Sequence, residues 1–125
     1  MPGFIPHFIV GNAMFLIGSY YIQNHTDLSF PRSKQFGFYT ICILSSIIPD
    51  FPLALYYALH IGSFQMLVGP HAMLHAIISP IAVVLFIILS TIFPVKNKPI
   101  WIFGILCILL HIAMDAVIQE TGVWI

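Results

Sequence analysis

Four stretches of this chain, residues 4–22, 36–60, 76–94 and 100–118, are almost free of charged side chains, and nothing else in the sequence constrains the fold as strongly. Crossing the hydrocarbon core of a bilayer takes about 20 apolar residues in a helix. Three of the stretches have that length; the second is longer and is interrupted by prolines. Composition agrees: 60% of the 125 residues are hydrophobic, 6% are charged, and the mean hydropathy is +1.03. A soluble domain has about a quarter of its residues charged. The expected fold is therefore all-α, a single integral membrane bundle of about four transmembrane helices. Formal net charge is zero, so nothing points to a nucleic-acid partner. The opening "MPGFIPHFIV" has no Lys or Arg before its apolar run. It lacks the basic segment of a cleaved signal peptide and reads as a retained first transmembrane helix.

All four basic residues fall in two connections: Arg32 and Lys34 between the first two stretches, Lys96 and Lys98 between the last two. The positive-inside rule places both loops in the cytoplasm. The N-terminus, the 61–75 connection and the C-terminus then lie on the outer side. Cys42 and Cys107 fall within apolar stretches without a CxxC pattern and read as small packing residues.

The second stretch contains "SIIPDFP", with Pro49 and Pro52 around Asp50. Proline inside a helix removes a hydrogen bond and clashes with the preceding turn. A break near Pro49 and Asp50 is expected, with Ser46 available to satisfy freed backbone. Asp50 at the break reads either as a helix cap or as a carboxylate aimed into the bundle.

Depth brings the polar residues together. At 1.5 Å per residue, Asp50 and Asp115 lie about 21 and 22 Å from the basic ends of their helices, and His111 about 16 Å. His7 sits near the outer end of the first helix, and His71 and His75 flank the outer start of the third. His71, His75 and Ser79 form one stripe, and His111, Asp115 and Gln119 another. His7, Gly11 and Gly18 share a side, where small residues let helices approach closely.

A carboxylate in this layer is costly unless paired, protonated or metal-bound. Every Lys and Arg is at the opposite face. Imidazole and carboxylate donors together suit Zn²⁺, Mn²⁺ or Fe, so His7, Asp50, His71, His75, His111 and Asp115 form a candidate divalent-metal set. If two ions bind, Asp50 is the expected bridge, and Asp50 and Asp115 are the residues on which catalysis would rest. His60 reads as an interfacial histidine, His25 and Asp27 as solvated loop residues, Glu120 as an exposed terminal charge, and Trp101 and Trp124 as belt residues.

The order of these motifs, His7, "IPDF" at 48–51, "GPHAMLHA" at 69–76 and "HIAMDAVIQETGVW" at 111–124, resembles the membrane-bound metal-dependent hydrolases of bacteria and archaea. More distantly it looks like zinc-dependent phospholipases C and their nuclease relatives. The chain departs from the family pattern at Pro52, where a second acidic residue is usual. It also lacks the Arg and the Ser or Thr that accompany the paired histidines. The resemblance implies a phosphoesterase-type site with more than one metal, in a prokaryotic cytoplasmic membrane. Membrane lipids would surround it, and its substrate would be a small amphiphile reached from the outer side. The residues by themselves leave three other readings open: a proton or ion pathway, a non-catalytic metal-binding protein, and a bundle joined by polar contacts alone.

Overall fold

A computed structural model of the chain describes residues 4–51, 59 and 62–121. Among these the chain is all-helical. Helix α1 runs Phe4–His25 and α2 runs Arg32–Ile47, followed by a 3₁₀ turn at Ile48–Asp50. Helix α3 (Phe64–Met73) passes through a π turn at Leu74–Ile78 straight into α4 (Ser79–Ile92). A 3₁₀ turn at Val95–Asn97 leads into α5 (Lys98–Thr121).

The element ends have local causes. The link between α1 and α2 is stitched by Thr26, whose hydroxyl donates to the Ile22 carbonyl (2.7 Å) and accepts from the Leu28 amide (3.3 Å). Helix α2 begins at Arg32, four residues before the apolar stretch does, because Pro31 caps it and its carbonyl accepts the Gln35 amide (3.0 Å). Arg32 and Lys34 are therefore in a helical first turn rather than a loop. Cations are disfavoured there by the helix dipole, so the proline and the turn bonds set the start. At the other end, α2 stops at Ile47, two residues before Pro49.

The 61–75 connection is not a loop over most of its length, which corrects the sequence reading. Gly62 has a φ of +79°, which glycine adopts at no steric cost. Ser63 then caps α3: its carbonyl accepts the Met66 and Leu67 amides (3.1 and 3.2 Å), and its hydroxyl lies 3.4 Å from the Met66 amide. His71 and His75 thus lie inside a continuous helical segment instead of flanking its start. Pro70 and Pro80 bracket the π turn. The Ser79 amide reaches back five residues to the Leu74 carbonyl, and the Ser79 hydroxyl donates to the same oxygen at 3.0 Å. A widened turn of this kind is frequent at functional sites, and here it carries His75.

Helix α1 packs on α2 and α5, α2 also packs on α5, and α4 lies against α5. Glycines permit this. A Cβ on Gly18 would sit 2.5 Å from Phe38 Cζ, and one on Gly104 would sit 2.7 Å from Phe86 Cε2. At Gly11 it would meet Ile43 Cδ1 and the Ser46 hydroxyl, both at 3.1 Å. Toward the basic loops the interior is apolar: Ile22, Leu28, Phe38, Cys42 and Cys107 are buried, with Phe15, Phe30 and Phe103 around Phe38. Both cysteines are free thiols in that core. Toward the opposite end the buried side chains are polar: His7, Ser45, Ser46, Asp50, His71, Ser79, His111 and Asp115. Large apolar side chains such as Ile9, Leu16, Ile81, Ile88 and Val117 face outward.

Three segments, Ile5–His25, Gln65–Ile92 and Val95–Val117, are long and apolar enough to cross a membrane. Helix α2, with 16 residues up to Ile47, is not among them. The continuation of the second stretch falls on residues 52–58, outside the described residues, as do His60 and Trp124. The side chains of Gln119 and Glu120 are likewise outside them.

Candidate metal centre

His7 comes from α1, Asp50 from the 3₁₀ turn after α2, His71 from α3, His75 from the π turn, and His111 and Asp115 from α5. The fold brings all six together. Only His75 reaches the surface appreciably, with 19% of its side chain exposed; the other five are between 0 and 8%. The imidazoles crowd one another. Ring centroids of His7 and His111 are 4.0 Å apart, those of His71 and His75 4.4 Å, and those of His75 and His111 4.9 Å.

Two groups emerge in which every residue offers one donor atom within 4.8 Å of the others. One is His7, Asp50, His111 and Asp115; the second, sharing Asp50, is Asp50, His71 and His75. His7 Nε2 lies 3.0 Å from Asp50 Oδ2 and 3.2 Å from Asp115 Oδ1. His75 Nε2 lies 3.2 Å from Asp50 Oδ1 and 3.3 Å from Asp115 Oδ2. His111 Nε2 lies 3.3 Å from Asp115 Oδ2, 3.4 Å from His75 Nε2 and 3.8 Å from Asp50 Oδ1. His71 Nδ1 is 3.6 Å from Asp50 Oδ1.

These approaches are short, yet few are hydrogen bonds. Between the histidines and carboxylates, His7–Asp115 and His75–Asp50 alone have the angles for one among the described residues. Asp50 Oδ2, Asp115 Oδ2, His7 Nδ1 and both ring nitrogens of His71 are buried with no hydrogen-bond partner among those residues. Buried polar atoms are ordinarily satisfied. Donor atoms aimed at shared points instead of at each other are what a cation requires of its ligands.

His111 sharpens this. Its Nδ1 lies 2.8 Å from the Ser46 carbonyl oxygen, which can only accept, so Nδ1 carries the hydrogen. The Ser46 carbonyl is in the last turn of α2, where carbonyls lack intrahelical donors, and Pro49 has no N–H to offer. Sequence reasoning assigned Ser46 a role at the break through its own side chain; in the structure its carbonyl is satisfied by His111. In the neutral imidazole, Nε2 then presents a lone pair, and it faces two carboxylate oxygens and another imidazole nitrogen. A hydrogen on His75 Nε2, 3.4 Å away, an added proton or a metal ion resolves that arrangement. Histidine ligands commonly donate their second nitrogen to a carbonyl in this way, which fixes the tautomer.

Compared with protein-family models, curated proteins and solved structures, the chain has no match. The geometry must therefore carry the reading.

The buried carboxylates need a balancing charge, which a bound cation or protonated imidazoles could supply. Asp50 and Asp115 bring two negative charges into a buried layer. Lys34 and Lys98 are about 24 and 25 Å away along their helices at 1.5 Å per residue. Four imidazoles and two carboxylates are donors that suit Zn²⁺, Mn²⁺ or Fe. Each ion would bring two positive charges to these carboxylates. His25 and Asp27 lie at the other end of the bundle and are exposed; the His25 ring stacks on Tyr21 at 5.3 Å. Trp101 packs against Phe86 and Phe93 rather than standing free.

Two positioning features were less legible than the ligands. The Ser46 carbonyl has no side-chain signature, since in an α-helix the N–H that Pro49 lacks would have served Ser45, and only the 3₁₀ turn changes that pairing. Gly104 brings α5 against α2 and α4, and a lone glycine in an apolar run does not announce which helix it meets.

Proposed function

We propose that this chain is a membrane-embedded, divalent-metal-dependent hydrolase. Its substrate would be a phosphoester on a lipid or lipid-linked molecule, reached at the face away from the basic loops. The observation that carries the metal half is His111: its hydrogen is committed to the Ser46 carbonyl, and its lone pair is aimed at Asp115, Asp50 and His75. Hydrolysis follows from what a metal does in such a place. It lowers the pKa of bound water toward neutrality and stabilises charge on a phosphoryl oxygen. With no Lys or Arg near, the ion must bind the phosphate itself. The apolar outer faces and three potential spans favour a bilayer setting. The distribution of Arg32, Lys34, Lys96 and Lys98 favours cytoplasmic loops and an extracytoplasmic site in a prokaryotic cytoplasmic membrane.

The test is elemental analysis of protein purified without a histidine tag, beside Asp50→Ala and His111→Ala. One or more equivalents of transition metal, lost in both variants, supports the reading and directs assays to lipid phosphates. There Asp115→Asn abolishes metal-dependent turnover while the protein stays folded. No metal after reconstitution with Zn²⁺ or Mn²⁺ refutes it. Metal-independent proton flux in liposomes, lost in Asp50→Asn, would then identify a relay of the kind that intramembrane His and Asp chains also serve.

A further inference from the structure

The two carboxylates divide their oxygens in opposite directions. Asp50 Oδ1 is within 3.2–3.8 Å of His71, His75 and His111, whereas Asp50 Oδ2 is 3.0 Å from His7. Asp115 Oδ2 is 3.3 Å from both His75 and His111, whereas Asp115 Oδ1 is 3.2 Å from His7. Each carboxylate thus turns one oxygen to His7 and the other to His75 and His111, with His71 added on the Asp50 side.

The spacings on the two sides are those of ligand polyhedra. Around a tetrahedral zinc with bonds of about 2.0–2.1 Å, neighbouring donors are about 3.3–3.4 Å apart. His75 Nε2, His111 Nε2 and Asp115 Oδ2 form a triangle with sides of 3.3, 3.3 and 3.4 Å. Asp50 Oδ1 lies 3.2 Å from His75 Nε2 and 3.8 Å from His111 Nε2. On the other side, His7 Nε2, Asp50 Oδ2 and Asp115 Oδ1 make a second, smaller set.

Resting on the metal reading above, we infer that Asp50 and Asp115 both bridge two ions. One ion is held by His75 and His111 with His71 beside them, and the other, among the described histidines, by His7. Asp50 is then not the sole bridge, and the two positions are unequal. The His75–His111 position has four protein donors and is closed, as structural zinc sites are. Among the described residues the His7 position has three, which would leave a coordination place open, as at catalytic zinc sites. The attacking water belongs at the His7 ion, and His7, first of the six in the chain, is a ligand on which the second metal depends.

The experiment measures metal equivalents by elemental analysis and records electron paramagnetic resonance of Mn²⁺-loaded protein, for wild type, His7→Gln and Asp115→Asn. Circular dichroism and monodispersity in detergent verify each fold. Wild type binds two equivalents and shows a spin-coupled Mn²⁺ pair. His7→Gln binds one equivalent with an uncoupled signal, because the His75–His111 position survives. Asp115→Asn weakens the coupling, because only Asp50 still bridges. One uncoupled equivalent in wild type overturns the two-ion assignment but leaves the metal reading standing; no metal overturns both. Folded His7→Gln that retains two ions, or Asp115→Asn with coupling unchanged from wild type, overturns the bridging scheme. If His7→Gln does not fold, wild-type stoichiometry and coupling together with Asp115→Asn decide it.

Discussion

Pro49 contributes no side-chain donor to the centre, yet replacing it should damage metal binding severely. It sits within the 3₁₀ turn Ile48–Asp50, which delivers Asp50 to the other ligands. A 3₁₀ turn advances about 120° and 2.0 Å per residue, against about 100° and 1.5 Å in an α-helix. Over three residues the difference accumulates to about 60° of rotation and 1.5 Å of rise. On a Cα cylinder of about 2.3 Å radius, 60° moves Asp50 sideways by about 2.3 Å, and its carboxylate further. Donor separations of 3.0–3.8 Å around Asp50 cannot absorb such a shift. Pro49→Ala restores the missing N–H and lets α2 continue as α-helix, whereupon the Asp50 amide takes the Ser46 carbonyl from His111. Losing a group that orients a metal ligand costs about 10–100-fold in affinity; displacing a ligand as well puts Pro49→Ala at or beyond the upper end. Competitive titration against a chelating dye in detergent measures it, with circular dichroism verifying that the bundle persists. Wild-type affinity in a folded Pro49→Ala protein would show that the proline does not set Asp50, and the account of the break would fail.

Gly18→Val places a branched side chain where even a Cβ falls 2.5 Å from Phe38 and 3.0 Å from Phe103. Overpacking of this kind costs about 1–3 kcal/mol, readable as a lowered thermal midpoint in detergent, whereas Gly37→Ala, with no neighbour to meet, should raise the midpoint slightly, since Ala is favoured over Gly inside a helix by up to about 1 kcal/mol. Because imidazole and carboxylate ligands must shed protons to bind metal, apparent affinity should fall as pH is lowered; a pH-independent titration would exclude the histidines as ligands. Cys42 and Cys107, both fully buried, should react with a maleimide only after denaturation; rapid labelling of folded protein would contradict the packing of the apolar half.

Some of the centre was legible residue by residue. Asp50, His111 and Asp115 stand out because a carboxylate or imidazole in an uncharged run has few other reasons to be there. The break after Ile47 was legible for a similar reason, since Pro49 cannot donate to the preceding turn. The start of α3 was not. "GSFQMLVGPHAML" contains two glycines and a proline and reads as a connection, but the Ser63 cap and the tolerance of a helix for an interior Pro70 won. His71 and His75 still meet Asp50, because i,i+4 spacing puts both on one side of that helical segment.

What the sequence by itself determined is the class of structure and the layering. Apolar runs of about 20 residues can be satisfied only as helices in a bilayer, where every backbone polar group must bond within its own segment. The rise per residue then sets the depth of each polar side chain. Only the tertiary structure decided which atom faces which. Periodicity tells which residues share a face of one helix but not how that helix is rotated against its neighbours. Here the rotation is set by close packing at Gly11, Gly18 and Gly104 against side chains tens of residues away. That packing directs one oxygen of each carboxylate to His7 and the other to His75 and His111.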